Sequence, residues 1–195
     1  SPQHMNYPLG DVVTGLFGAF AIAAALSGRA KLPAGAPRGS EIDLAATEAL
    51  FRMLDPLAAE YQHMDFVRER TGARSHYSAL SNIFATQDGH WLTVVGTSGT
   101  THKRMFEAMG RADLMEAERF ATPGARLQNS DEMDRFVSDW CRSHPLRELE
   151  SVLQKHQVPH SKVYTIADTV ADPQFRAREA VIRLPDPELG QMAAP

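Results

Sequence analysis

The sequence has little of several features that would assign a protein class at once. Its single cysteine, Cys141, excludes an internal disulfide and any cysteine-rich zinc motif. The formal net charge is only −4, and acidic and basic residues are mixed along the chain, which argues against a nucleic-acid partner. The apolar fraction of 43% is ordinary for a globular protein. We therefore expect a reduced, cytoplasmic protein.

Long hydrophobic runs are also scarce. The most apolar stretch, Val12 to Leu26, is shorter than the about 20 residues that span a membrane, and Thr14 and two glycines interrupt it. Arg29 follows it, and no basic region precedes it. The stretch is apolar on all sides, so it predicts a helix that ends near Gly28 and is enclosed on most sides by other parts of a core. No membrane association is expected.

Asp11 stands directly before this run. A short polar side chain at this place typically caps the free amide groups of a helix, and spacing alone favours that role. A carboxylate in the same position is also suited to nucleophilic catalysis, because it is ionised at neutral pH and the positive end of the helix favours its anion. On the residues alone, both roles remain open.

The rest of the chain alternates helical and extended patterns. Asp88-Gly89 between two apolar runs predicts a hairpin, and Pro56 is expected to divide an otherwise helical stretch. The segment Leu184 to Pro187 carries two prolines, so we expect no regular element there and no closing core element after it. The predicted helices are 45–61, 101–109, 113–120, 130–143 and 146–156, and the predicted strands are 82–86, 90–95 and 162–164.

Several residues suggest a binding site that their context does not support. The stretch from Gly96 to Lys103 superficially resembles a phosphate loop, but its second glycine is not followed directly by lysine, so we expect a loop and a helix cap. His156 and His160 have the spacing of a helical metal pair, yet a proline separates them, and no metal is predicted. His90, His102 and four arginines are expected at the surface or in ion pairs; the arginines are Arg29, Arg68, Arg70 and Arg74.

A set of short motifs occurs in one order along the chain. Gly10-Asp11 precedes the small-residue helix, Ile42-Asp43 follows it, and Phe84 to Trp91 contains the sequence Thr-Gln-Asp-Gly. In this order the chain resembles the family III CoA-transferases, of the CaiB/BaiF and carnitine or formyl-CoA transferase type. The turn Pro33 to Ser40 departs from that family's usual Thr-Gly-x-Gly-Gln. Further matching segments are 119–122, 126–129, 156–159 and 172–175.

The resemblance implies a fold of the α+β class. The chain would hold the helical part of a Rossmann-like large domain and a smaller α+β domain, and would lack the N-terminal nucleotide-binding half. A homo-oligomer or a complementary N-terminal half is the expected partner. The expected divisions are a remnant of protein expression at 1–5, the helical part at 6–70, the smaller domain at 75–165, and a segment returning toward the large domain at 166–195.

The resemblance also implies an activity. Asp11 would attack an acyl-CoA thioester, giving a mixed anhydride and then an aspartyl-CoA thioester, from which a small carboxylic acid collects the CoA. Gly96 and Gly99 are weaker candidates for a loop that covers Asp11. CoA is substrate rather than a permanently bound cofactor, and its binding residues are expected in the missing half. Two alternatives remain open: a 2-methylacyl-CoA racemase-like fragment and a non-catalytic interaction module.

Overall fold

The structure, a computed structural model, describes residues 6–54 and 56–194. The chain separates after Glu69 into two compact units, which we call the N-terminal unit (up to Glu69) and the C-terminal unit (from Arg70). The expectation of an expression remnant at 1–5 falls outside the described residues. The two units are considered separately below.

The N-terminal unit is helical. Its helices are α1 (Leu9–Ala30), α2 (Ala46–Arg52) and α3 (Leu57–Met64), and α1 packs against α2. Glycines of α1 lie at this contact: a Cβ at Gly10 would lie 3.5 Å from Leu50 Cδ1 of α2, and a Cβ at Gly18 would lie 3.2 Å from Leu44 Cδ2, just before α2. The predicted division of the second helical stretch near Pro56 is confirmed, since α3 begins directly after that residue.

Helix α1 differs from the prediction in two ways. It is 22 residues long, and none of its residues is buried; Leu16 is 67% exposed and Phe20 74% exposed. The prediction of an enclosed helix is therefore wrong for this chain, because a helix as short as α2 covers only a strip of α1. By length and composition alone, α1 is the one helix among the described residues that meets the criteria for crossing a membrane.

The C-terminal unit combines a small sheet with helices. Strands β1 (Asn82–Ala85), β2 (Trp91–Val94) and β3 (His160–Lys162) form an antiparallel sheet in the order β1-β2-β3. A short 3-10 helix, Ala112–Met115, follows α4. The helices are α4 (Gly99–Ala108), α5 (Glu118–Ala121), α6 (Pro123–Gln128), α7 (Ser130–Arg142), α8 (Leu146–Lys155), α9 (Ile166–Ala171) and α10 (Pro173–Ala177).

The hairpin between β1 and β2 is the predicted one. Gly89 has a φ of +80°, the left-handed conformation that such a turn requires of a glycine. The Thr86 hydroxyl donates to Asp88 at 2.6 Å, and the Leu146 amide donates to the same carboxylate at 3.1 Å. These hydrogen bonds hold the pKa of Asp88 below its usual value, and the bond from Thr86 has the largest effect. Asp88 thus connects the hairpin to the start of α8.

A continuous hydrophobic core fills the C-terminal unit between the sheet and helices α4, α7 and α8. Phe106 and Phe120 are fully buried in it, with ring centroids 5.7 Å apart. Cys141 is also buried, and burial raises the pKa of its thiol to about 12, so it stays protonated at neutral pH. Other fully buried side chains are Leu80, Leu92, Val94, Met105, Met133, Val137, Leu149 and Leu153.

The end of the chain corrects one prediction. Strand β4 (Ile182–Asp186) contains Pro185 and pairs antiparallel with β5 (Gly190–Ala194), where no regular element was expected. Proline is compatible with this position because each strand of a two-stranded sheet has an unpaired edge, toward which the missing N–H can be placed. The overall assignment to the α+β class is confirmed, with helices and small antiparallel sheets together.

Candidate active site and a second pocket

Asp11 does not cap α1. The helix begins at Leu9 after Pro8, so Asp11 lies inside the first turn, and no side chain caps the helix. The prediction of a capping role is wrong because the helix begins before the apolar run does. Among the described residues, the carboxylate has no hydrogen bond or ion pair, and the residue is exposed.

The surroundings of Asp11 suit an anion that must meet a substrate. The first turn of a helix carries partial positive charge on its amide groups, which stabilises a negative side chain there. Gly10 precedes Asp11 and has no side chain to cover it, and the Thr14 hydroxyl donates to the Gly10 carbonyl at 2.6 Å instead of to Asp11. The carboxylate is therefore accessible from solvent.

The arginines that were expected at the surface or in ion pairs have different environments. Arg68 makes a paired contact with Glu60, its Nε donating at 2.6 Å, and Arg74 is ion-paired with Asp131. Arg29 lines a cavity of about 250 Å³ at the other end of α1, together with Arg38. Its lining on α1 begins at Ile22, about 16 Å from Asp11 along the helix at 1.5 Å per residue, so the cavity is separate from the aspartate.

Gly96 and Gly99 are not equivalent. Gly96 is buried, and a Cβ there would lie 2.5 Å from Leu80 Cδ2, so close packing requires a glycine. Gly99 is exposed at the start of α4, and a Cβ there would meet Arg126 Nη2 at an ordinary 3.6 Å. Ser98 caps α4 by accepting from the Thr101 amide at 3.2 Å, as the sequence predicted for this segment. A role of the two glycines in covering Asp11 remains a prediction.

A pocket of about 240 Å³ lies beside this segment, within the C-terminal unit. His102 and Arg126 are each only 4% exposed and form its buried wall, and the exposed Gly99 also lines it. The expectation that His102 is a surface or turn residue is therefore wrong. The burial of His102 follows from the helical period. His102 lies three residues before Met105 and four before Phe106, so all three share the buried face of α4.

Both side chains of the buried wall use only part of their hydrogen-bonding capacity. His102 Nδ1 lies 2.6 Å from the Ser98 carbonyl oxygen, and Arg126 Nη1 donates to the Phe120 carbonyl at 2.8 Å. Within the described chain, His102 Nε2 and Arg126 Nε have no partner. The pKa of His102 is lowered from its usual value, chiefly by burial. The hydrogen bond to the Ser98 carbonyl raises this pKa, and the positive charge of Arg126 lowers it.

Comparison with known proteins decides the family. The model of CoA-transferase family III matches residues 1–195. This chain belongs to CoA-transferase family III. Succinyl-CoA–D-citramalate CoA-transferase of Chloroflexus aurantiacus is 30% identical over 98% of this chain and 46% of its own length. The alpha subunit of succinyl-CoA–L-malate CoA-transferase, from the same organism, is 32% identical over 96% of this chain and 43% of its own length.

Solved structures agree with this family III assignment. A CaiB/BaiF family protein from Brucella suis is 25% identical, with a TM-score of 0.74 over 100% of this chain and 54% of the solved one. A Mycobacterium tuberculosis protein shares the fold, with a TM-score of 0.78 at 20% identity over 100% of this chain and 49% of that one. The family III chain thus spans about half the length of these relatives.

The family resemblance and the α+β class are thereby confirmed. Among the described residues there is no group of three or more histidine, cysteine or acidic side chains placed to hold a metal ion. Sequence reasoning did not find the pocket of His102 and Arg126, although Arg126 lies in one of the motifs that carry the resemblance. The available signal was the position of Arg126, which is the only charged residue in the stretch from Phe120 to Leu127.

Proposed function

We propose that this family III chain carries the nucleophile of a CoA-transferase, which moves CoA from an acyl-CoA donor to a carboxylic acid. The observation that supports it best is the placement of Asp11. The carboxylate is exposed, has no partner among the described residues, and lies in the first turn of a long helix. Family membership supplies the reaction class, and all of the relatives named above are transferases where their names state an activity.

The proposed chemistry uses Asp11 as a covalent intermediate. A carboxylate oxygen of Asp11 attacks the thioester carbonyl, the C–S bond breaks, and CoA leaves as a thiolate, giving a mixed anhydride. The thiolate attacks the aspartyl carbonyl and releases the donor acid, giving an aspartyl-CoA thioester. The acceptor carboxylate then attacks this thioester, and the returning thiolate takes the acceptor acyl group and regenerates Asp11. Each step exchanges one acyl bond for another and needs no added oxidant or reductant.

The relatives also guide the choice of substrates. Two of them carry succinyl-CoA together with citramalate or malate in their names. We therefore propose succinyl-CoA as the donor class and a small hydroxylated dicarboxylic acid as the acceptor class. We propose that CoA itself is held mainly by residues outside this chain, which covers 46% and 43% of the length of these two relatives.

A protein partner is part of this proposal. The N-terminal unit exposes large apolar side chains along α1, and apolar surface of this extent favours association. Two relatives are named as alpha and beta subunits of one transferase. We propose that the exposed face of α1 is covered by a second copy of this chain or by a complementary N-terminal half.

The test follows the covalent intermediate. The chain is incubated with succinyl-CoA, alone and with a separately produced N-terminal half of a family III transferase, and then analysed by intact-protein mass spectrometry with hydroxylamine trapping. We expect an acyl or CoA adduct that maps to Asp11 and is lost in Asp11→Ala, with transfer activity reduced by about a thousandfold or more.

The matched control is Asp43→Ala, which removes another exposed aspartate from the same unit. This variant should keep the adduct and the activity. An adduct that persists in Asp11→Ala contradicts the assignment of the nucleophile. Absence of any adduct and of transfer in both preparations contradicts the proposed function.

A further inference from the structure

The pocket of about 240 Å³ in the C-terminal unit contains a buried positive charge without a counter-charge. Arg126 is 4% exposed, and its Nη1 donates to the carbonyl oxygens of Phe120 and Ala121 at 2.8 and 3.3 Å. No carboxylate among the described residues forms an ion pair with it. Arginine stays protonated in proteins, and buried charges are normally paired. A negatively charged group in the pocket would supply the missing partner.

His102 contributes a hydrogen-bond acceptor, its Nε2, to the wall of the same pocket. A carbonyl oxygen only accepts hydrogen bonds, so the 2.6 Å contact with Ser98 places the proton on Nδ1. Burial and the nearby Arg126 lower the pKa of the ring, which keeps it neutral at neutral pH. Nε2 then carries a lone pair, and among the described residues no donor reaches it. The buried wall of the pocket therefore presents an unpaired cation and, within the described chain, an unpartnered hydrogen-bond acceptor.

These two protein groups, the unpaired guanidinium and the unpartnered Nε2, indicate a ligand chemistry. A carboxylate satisfies Arg126 but gives nothing to Nε2, and a neutral alcohol or a water molecule donates to Nε2 but leaves the charge unpaired. We propose that this pocket binds a small hydroxycarboxylic acid, whose carboxylate accepts from Arg126 and whose hydroxyl donates to His102 Nε2. The first turn of α4, a helix of 10 residues, adds partial positive charge beside Gly99, where no side chain intrudes.

The size and the rim of the pocket suit this ligand. One water molecule occupies about 30 Å³ of liquid, so 240 Å³ accommodates a small acid of several non-hydrogen atoms. His102 Nε2 and Arg126 Nε have almost no solvent-accessible surface, whereas Thr97 and Gly99 at the rim are exposed. The assignment deepens the acceptor class of the proposed function and rests on it for its biological role, but not for binding itself.

The test compares two acids that differ by one hydroxyl group. The chain is titrated calorimetrically with L-malate and with succinate, which lacks the hydroxyl. We expect malate to bind about tenfold more tightly, the effect of one well-made hydrogen bond to a buried acceptor. An equal affinity for the two acids, or no heat from either at millimolar concentration, overturns the proposal.

Variants of the buried wall assign the contacts. In His102→Asn the amide can still donate to the Ser98 carbonyl while Nε2 is removed, so the preference for malate should disappear and succinate binding should not change. His102→Gln, which can place an amide oxygen near the position of Nε2, should restore part of the preference. Arg126→Lys should weaken both acids, and Arg119→Lys, an exposed control, should weaken neither.

Circular dichroism and thermal unfolding confirm that each variant is folded. If His102→Asn retains the full preference for malate, the hydroxyl is bound elsewhere and the proposal is wrong. Asp11→Ala separates this proposal from the proposed function: it should abolish the covalent adduct and leave malate affinity unchanged. Loss of malate binding in Asp11→Ala would place the acid at the aspartate and overturn the assignment of this pocket.

Discussion

The two units of this chain bury their apolar residues to very different extents. Among the described residues of the N-terminal unit only Ala49 is buried, while the C-terminal unit holds an uninterrupted core that includes Phe106, Phe120 and Leu92. Both units contain helices with many apolar residues. What differs is the number of elements that pack together: a sheet and several helices surround the C-terminal core, whereas α1 has one short neighbour.

The difference shows that apolar composition alone does not produce a core. Burial of a side chain removes it from water only when other elements surround it, and each fully buried large side chain contributes about 1.5–3 kcal/mol relative to exposure. Phe20 on α1 is 74% exposed, so its burial within the chain contributes little to stability. Phe106 on α4 is 0% exposed and makes the full contribution. Burial of large apolar side chains within the chain thus comes almost entirely from the C-terminal unit.

The largest expected effect comes from making the same substitution in both units. Phe106→Ala leaves a cavity beside Phe120 and should lower the free energy of unfolding by about 3–5 kcal/mol. Phe20→Ala should change it by no more than about 0.5 kcal/mol, because the ring is exposed. Urea unfolding followed by circular dichroism measures both. Equal losses would mean that the two units do not differ in the way the burial indicates.

A smaller effect is expected from the two glycines before α4. Gly96→Ala forces a Cβ against buried Leu80 and should lower the free energy of unfolding by about 1–3 kcal/mol, as overpacking of a core does. Gly99→Ala meets only an ordinary contact and should be close to neutral. Thermal unfolding of the pair separates a packing requirement from a general need for glycine. If Gly99→Ala proved the more destabilising, the packing argument would fail.

The smallest effect on stability, but a clear one on association, is expected from the exposed face of α1. The double variant Leu16→Ser with Phe20→Ser should leave the unfolding free energy of the C-terminal core unchanged and shift the chain toward monomer in light scattering. A matched double substitution of exposed polar residues, Lys103→Ser with Arg147→Ser, should not alter the mass. A chain that is already monomeric at micromolar concentration would contradict the proposed association.

Several features were predictable because local rules determine them. The hairpin at Asp88-Gly89 follows from turn chemistry, since the glycine adopts the left-handed conformation that the turn requires. Helices α7 and α8 follow from the period of their apolar residues, and their observed bounds fall within a residue of those predicted. The family assignment came from short motifs in a fixed order, and the family comparison confirmed it.

Other features could not be predicted from the sequence and are visible only in the folded structure. Strand β4 contains Pro185, which argues locally against a strand, and only its pairing with β5 at an open edge makes it one. The pairing of Asp88 with the start of α8 joins residues 58 positions apart in the sequence. No local pattern contains such a contact, because it depends on where distant elements pack.

The sequence by itself determined which residues bear chemistry: the aspartate before a small-residue helix, the glycines before α4, and the motifs of the family. Only the tertiary structure determined how exposed such residues are and which hydrogen-bond partners they have. It placed Asp11 in the first turn of α1, where the residue is exposed. It also buried His102 and Arg126 beside one pocket, where His102 Nε2 and Arg126 Nε have no hydrogen-bond partner within the described chain. The physical reason is that charge and hydrogen-bonding capacity belong to a residue, whereas exposure and the supply of partners belong to the packing of the whole unit around it.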